Sequence, residues 1–222
     1  MNPTFNLFKK HLSCCLNCGS FLVTKGRFCR YCALKLDRWE QSTPILVPPF
    51  QVRAHYSWDP GRSDILSQLV LSLKGTGNEE AWRYYAQDFA RKNLSNLTSN
   101  RRIQVVPAPA KRIDQKDHSF AWAQGLAESL GASLHPCLEK LSKHHQRGAD
   151  RAERALIEMR LREKSTSPVD FAPETLWIFA DDVLTTGATA RAAHIALGCP
   201  AHFEVWVLAH RRLSCGASRH LL

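Results

Sequence analysis

The sequence predicts an α/β domain with a mostly parallel sheet, preceded by a small module organised by four cysteines. Strand-like and helix-like segments alternate from Phe50 onward, as in a parallel sheet with helices on its faces. Two CxxC pairs precede this region, and one apolar strand runs into two aspartates and a loop of small residues. A chain of 222 residues suffices for one medium-sized domain and a small appendage.

The predicted domain boundaries follow changes in composition. Residues 1–40 carry the cysteine module. Residues 41–49 lose periodicity and gather Pro44, Pro48 and Pro49, which is typical of a linker. Residues 50–222 form the predicted α/β domain.

Hydrophobic periodicity gives the order of elements within this domain. Strands are predicted at Phe50–Trp58, Arg102–Val106, Leu134–Leu141, Leu176–Ala180 and Phe203–His210. Helices are predicted at Ile65–Leu73, Ala81–Leu97, Phe120–Leu130, Ala149–Arg162 and Thr189–Leu197. Most aromatic side chains on these segments are expected in the core, although stacking on nucleic-acid bases is an alternative role for them.

The charge of the chain is strongly positive and unevenly distributed. The net charge is +10, and residues 1–40 hold seven Lys/Arg against two acidic residues. Such a surface favours a polyanionic partner such as nucleic acid, or is simply a solvated basic face. No apolar run approaches the roughly 18 residues of a membrane helix, so no membrane insertion is expected. The N-terminus lacks the order of a secretory signal, so a cytoplasmic location is expected.

The four cysteines of the two CxxC pairs have the spacing of a closed metal site. Cys15 and Cys18 form one pair, and Cys29 and Cys32 form the other; ten residues separate the two pairs. Each CxxC pair forms a tight turn that directs two thiolates at one point, and two such turns supply the four thiolates that a tetrahedral structural zinc prefers. A pair of redox dithiols is the alternative, and the neighbouring Cys14 leaves the identity of the first ligand open, although the spacing favours Cys15.

The sharpest signal in the chain is the segment that begins at Leu176 and reaches Asp181 and Asp182. In open α/β sheets, ligands bind outside the carboxyl ends of the strands. The helix that follows offers unpaired N–H groups and a positive dipole end, which suit a phosphate, and Gly187 permits close approach. The two aspartates are placed to accept from vicinal ribose hydroxyls or to help hold magnesium. A phosphorylated ribose is therefore the predicted ligand. The alternative is a strand–loop–helix connection that binds no ligand.

This segment resembles the motif with which type I phosphoribosyltransferases bind phosphoribosyl pyrophosphate (PRPP). The resemblance implies a Rossmann-like phosphoribosyltransferase fold, PRPP and magnesium as ligands, and Asp181 and Asp182 as the catalytic residues. The residues that it implies for PRPP binding are Asp181, Asp182, Leu184, Thr185, Thr186, Gly187, Ala188 and Thr189.

A cysteine module ahead of such a domain resembles the ComF family, of the ComFC or GntX type. Lys74 resembles a family lysine before the first large helix, and Ala108 lies in a proline-bracketed loop like the one that receives pyrophosphate. Lys111 and Arg112 follow that loop as two nearby cations. The family is tied to the uptake and processing of single-stranded DNA in natural transformation, which implies single-stranded DNA and DNA-uptake proteins as partners.

The chain departs from the family pattern at two segments. The family's Lys-aromatic-Arg-Gly segment is altered here to Lys74-Gly75-Thr76-Gly77. Where the family usually has Arg-Gly-Phe-Asn-Gln, this chain has His118-Ser119-Phe120-Ala121-Trp122, and only Phe120 matches. The change removes a cation and two amides, so PRPP binding is expected to survive it better than turnover.

Three functions are compatible with these features. The favoured one is a PRPP-binding protein of DNA uptake whose zinc module binds DNA or a partner. The second is an active phosphoribosyltransferase that uses magnesium and nearby cations to stabilise the leaving pyrophosphate. The third is a PRPP-sensing scaffold that makes no DNA contact.

Overall fold

A six-stranded sheet organises the computed structural model of the chain. The structure describes residues 14–59, 64–74, 77–97, 101–110, 118–141, 158–162 and 172–211. The sheet strands are β1 (Ile45–Val47), β2 (Phe50–Trp58), β3 (Ile103–Pro107), β4 (Ser133–Leu134), β7 (Leu176–Leu184) and β8 (Phe203–Arg211). Their order is β1-β2-β8-β7-β3-β4, and only β1 is antiparallel to its neighbour. The predicted α/β fold with a mostly parallel sheet is confirmed.

Helices pack on both faces of the sheet. They are α1 (Arg30–Ala33), α2 (Ile65–Leu73), α3 (Glu79–Asn93), α4 (His118–Leu130) and α5 (Ala188–Ala196). The side chain of Asp64 caps α2 by accepting a hydrogen bond from the Ser67 N–H at 2.7 Å. Across the ranges that the structure describes, no helix has the length and apolarity needed to cross a membrane.

Two sequence-based predictions on the edge of the domain need correction. The predicted strand Leu134–Leu141 is divided between β4 and β5 (Leu138–Lys140). The end of the predicted helix Ala149–Arg162 is instead β6 (Met159–Leu161), antiparallel to β5; residues 149–157 lie outside the described residues. The spacing of charged residues predicts a helix here. In the structure, Met159 and Leu161 pack against the core and Arg160 between them is exposed, and this alternation of buried and exposed side chains is that of a strand.

The cysteine module packs on the α/β domain rather than standing apart from it. Phe28, Cys32 and Leu36 are buried in the same cluster as α2, α3 and α4. The Tyr85 hydroxyl on α3 donates a hydrogen bond to the Gly26 carbonyl at 2.7 Å. Strand β1 lies in the segment predicted as a linker. The boundaries at residues 40 and 49 stay predictions.

Buried aromatic rings join the helices to the sheet, as expected for core positions. Trp82 and Trp122 are almost fully buried. The Trp122 indole N–H donates to the Trp206 carbonyl at 3.0 Å, which ties α4 to β8. The Trp82 indole N–H donates to the Leu73 carbonyl at 2.9 Å, which fixes the end of α2. Stacking on nucleic-acid bases is thereby ruled out for these two rings.

Close contact between α3 and α4 depends on Gly125. A Cβ atom at Gly125 would lie 2.7 Å from the Ala86 Cβ and 2.8 Å from the Arg83 carbonyl oxygen. Helix propensity alone favours alanine over glycine by about 1 kcal/mol. We expect Gly125→Ala to lower the free energy of unfolding by about 1–3 kcal/mol, because the clash outweighs propensity. Chemical denaturation measures this; the exposed control Glu128→Ala should stay within about 0.5 kcal/mol. A stabilising Gly125→Ala would contradict the packing.

Candidate functional site

The predicted site lies where the connections of the sheet diverge. Strands β3 and β7 are neighbours. From β3 the chain passes through α4 to β4 on one side, and from β7 it passes through α5 to β8 on the other. The carboxyl ends of β3 and β7 therefore flank a topological switch point, which is where open α/β sheets bind their ligands.

Asp182 on β7 is held by a lysine and a histidine from the ends of two helices. Its Oδ2 atom lies 2.9 Å from Lys74 Nζ, just after α2, and 3.2 Å from His118 Nε2, the first residue of α4. The His118 ring stacks on Trp82, with ring centroids 5.5 Å apart. Because Trp82 also fixes the end of α2, one buried ring orients both partners of the carboxylate. The predicted site residues Lys74 and Asp182 are thus in direct contact.

Asp181 has a different environment from its neighbour. Its Oδ1 atom accepts the backbone N–H of Asp182 at 2.9 Å and lies 3.4 Å from the Ser119 hydroxyl. Burial and the adjacent negative charge of Asp182 raise the pKa of Asp181 to about 7. Burial would also raise the pKa of Asp182, but hydrogen bonds from His118 and Lys74 and their positive charge hold it well below the usual range. The two carboxyl groups therefore differ: Asp182 is held as an anion, while the pKa of Asp181 lies near neutrality.

The loop after β7 has the shape of an anion site. Gly187 precedes α5 with φ of 76°, a left-handed conformation that suits glycine. Thr185 and Thr186 are exposed, and the N–H groups of the first turn of α5 begin directly after them, as at any helix N-terminus. The Arg191 guanidinium reaches back along α5 and donates to the Thr186 carbonyl at 2.6 Å. A cation therefore stands beside a loop already suited to phosphate.

The loop after β3 packs beside the two aspartates. The Ala108 N–H donates to the Ala180 carbonyl at 2.8 Å, which holds this loop against β7. Lys111 and Arg112 lie outside the described residues. The structure thus brings together Ala108, Lys74, the two aspartates and the residues from Leu184 to Thr189 at one end of the sheet.

Three residues at the site were missed by the sequence reasoning: His118, Ser119 and Arg191. The first two lie in the segment that departs from the family pattern, where the departure predicts the loss of a cation and two amides. In the structure, both side chains contact the aspartate pair. Arg191 follows the motif by two residues, and only its position on the first turns of α5 could have singled it out.

The four predicted zinc ligands converge at one point. The sulfur atoms of Cys15, Cys18, Cys29 and Cys32 all lie within 4.8 Å of one another. Cys18 and Cys29 are 3.7 Å apart at sulfur, far beyond a disulfide. Tetrahedral zinc with bonds of about 2.3 Å requires sulfur separations of about 3.8 Å, so the cluster fits a structural zinc. Cys14 is not part of this cluster, which favours Cys15 as the ligand.

Polar groups around the cluster suit thiolate ligands. The Asn17 side-chain amide donates to Cys32 Sγ at 3.2 Å. Burial raises the pKa of the Cys15 thiol, but backbone N–H groups, including that of Cys18, outweigh it and lower the pKa to about 6. Burial, together with the neighbouring thiols, raises the pKa of Cys32 to about 12. A zinc ion would supply the positive charge that four clustered sulfurs lack.

We expect the full chain to retain one equivalent of zinc through this cluster. Cys15→Ser should abolish retention and lower the melting temperature, because Cys32 and its neighbours belong to the shared core. The matched control Cys14→Ser, one residue away, should retain zinc. Metal analysis after dialysis measures both. Loss of zinc in Cys14→Ser but not in Cys15→Ser would contradict the assignment.

Comparison with known proteins bears on this architecture. No protein-family model matches the chain. The competence protein ComFC of Bacillus subtilis (strain 168) is 27% identical over 171 residues. The match covers 77% of this chain and 65% of the relative, which is less than two thirds of the relative's own length. With the four-cysteine cluster in place ahead of the sheet, this similarity confirms the predicted resemblance to the ComF family.

Proposed function

We propose that the protein binds PRPP with magnesium at the carboxyl end of β7 and acts in the handling of DNA during natural transformation. The observation that carries the first part is the placement of an aspartate pair and a phosphate-suited loop on one strand end at the switch point. The family resemblance and the relative's name as a competence protein support the second part.

Each end of a phosphorylated ribose has a matching group in this site. The N–H groups at the start of α5, with Thr185 and Thr186, suit the 5′-phosphate. Asp181 and Asp182 suit the ribose hydroxyls, and their oxygens are the ligands that magnesium prefers. When bound, magnesium supplies positive charge against the pyrophosphate. Lys74 neutralises Asp182, and its side chain is partly exposed.

Phosphoribosyl transfer to a nitrogen nucleophile is a second candidate function. One observation favours it: His118 places a ring nitrogen against Asp182 in the segment where the family usually has an arginine. The altered segment therefore keeps a group that can carry positive charge at the pair. Binding without turnover remains the primary proposal because the two amides of that segment have no counterpart in Ala121 and Trp122, which are both buried.

The cysteine module has the composition of a surface for single-stranded DNA. Four of its large hydrophobic side chains are exposed: Phe21, Leu22, Tyr31 and Leu34. Lys35 lies over the Tyr31 ring at 4.8 Å, and Arg30 is exposed beside it. Aromatic rings interleaved with cations stack on bases and neutralise phosphates without regard to sequence. Two other cations are directed at α3 instead: Lys25 pairs with Glu80, and Arg27 donates to Asn78.

We expect titration calorimetry to detect binding of PRPP in the presence of magnesium. The double variant Asp181→Asn/Asp182→Asn should lower the affinity for PRPP at least about tenfold, because charge-assisted hydrogen bonds are lost. The matched control Glu174→Gln changes an exposed carboxylate at the opposite end of the same strand and should bind normally. Ribose 5-phosphate, titrated in parallel, tests the phosphate loop separately. Unchanged PRPP affinity in the double variant would contradict the assignment of the aspartates.

We expect single-stranded DNA binding to depend on the cysteine module in two separable ways. Tyr31→Ala should cost about 1–3 kcal/mol of binding with an unchanged salt slope, because stacking is lost. Arg30→Ala/Lys35→Ala should reduce the slope of log affinity against log salt by about 0.7 per phosphate contact removed. Leu46→Ala, an exposed apolar side chain on β1, is the control. Salt-independent binding, or none, would leave the PRPP-sensing scaffold as the alternative.

A further inference from the structure

A second group of metal-ligating side chains contains none of the residues of the aspartate site. Glu40 is the last residue of the predicted cysteine module, His55 lies on β2, and Asp88 lies on α3. One ligand atom from each is within 4.8 Å of the others. Neither the family resemblance nor the proposed function uses these residues.

The Nε2 nitrogen of the His55 imidazole faces Asp88 in this group. His55 is 2% exposed, and its Nε2 atom is buried without a hydrogen-bond partner among the described residues. Nε2 lies 3.4 Å from Asp88 Oδ2, longer than the usual range of about 2.7–3.2 Å for such a hydrogen bond. A tetrahedral metal with bonds of about 2.0–2.1 Å requires donor separations of about 3.4 Å. The pair is spaced as two ligands of one ion.

The surroundings of His55 fix its orientation. The ring packs against Phe89 and Tyr85 on α3, with centroid distances of 5.2 and 6.3 Å. This packing holds the Nε2 atom beside Asp88.

Lys92 currently neutralises the two carboxylates. Its amino group contacts Glu40 and lies 2.9 Å from Asp88 Oδ2. Its side chain is 45% exposed at the surface of α3, so the amino group can move into solvent without unfolding the helix. A divalent ion in its place would neutralise both carboxylates and also satisfy His55.

We propose that Glu40, His55 and Asp88 form a second metal site for a divalent transition metal such as Zn²⁺, from which Lys92 is displaced on binding. A nitrogen ligand with two carboxylates suits Zn²⁺, Co²⁺ or Ni²⁺ better than Mg²⁺ or Ca²⁺, which prefer oxygen ligands. Because its ligands come from the end of the cysteine module, the sheet and α3, the ion would clamp these three parts together.

The test is titration with Co²⁺ of the full chain that carries one equivalent of zinc in the cysteine cluster. Binding is followed by visible absorption. We expect one further equivalent to bind, with the weak bands of nitrogen and oxygen ligands and without the sulfur-to-metal bands of the cysteine cluster. Lys92→Met should tighten this binding at least about tenfold, because it removes a competing cation. Lys25→Met, which removes a lysine paired with another acid of α3, is the control and should leave the affinity unchanged.

Loss of a carboxylate ligand gives the opposite outcome. Asp88→Asn in the Lys92→Met background should weaken Co²⁺ binding at least about 100-fold, and Glu40→Gln serves as the second variant if Asp88→Asn fails to fold. The proposal is overturned if Lys92→Met binds no further equivalent at millimolar Co²⁺. It is equally overturned if binding persists in both carboxylate variants.

Discussion

The Asp182 carboxylate is the point on which the rest of the site depends. Removing a carboxylate from water is costly unless cations and hydrogen bonds compensate it, and here Lys74 and His118 do so from two different helices. Both partners are oriented by one buried ring, Trp82, which hydrogen-bonds the end of α2 and stacks on His118. The close packing of α3 against α4 at Gly125 keeps that ring in place. The ion pair is therefore a product of the helix packing, and Asp181, which lacks these partners, keeps a raised pKa.

The sequence predicted those parts of the fold that are encoded locally. The strands from Phe50 and Leu176, the helix from Ile65 and the four cysteines each carry a strong local pattern, and the structure has each of them. The strand from Leu176 does not end at Ala180 as predicted but continues through the two aspartates to Leu184. The region after Leu134 was predicted wrongly, because β5 and β6 are three-residue strands that form only through pairing with each other. Charge spacing in one of them suggested a helix, and no local pattern reveals a partner twenty residues away.

The composition of the site was predictable only in part for the same reason. The Asp-Asp and Thr-Thr-Gly segment is contiguous, so its residues could be named in advance. The contacts of His118 and Ser119 with the aspartates join residues more than sixty positions apart. The family pattern could not predict these contacts, because it has different residues in this segment. The cluster of Glu40, His55 and Asp88 likewise exists only once the cysteine module, the sheet and α3 have assembled. Burial of an imidazole beside two carboxylates has no signature in a single sequence.

The most direct test of the central proposal is a crystal structure of the full chain grown with PRPP and magnesium. The proposal predicts density for the 5′-phosphate at the N–H groups that begin α5, with the ribose hydroxyls against Asp181 and Asp182. Density for the ligand elsewhere, with Lys74 and His118 still closing over Asp182 and the loop empty, would contradict it.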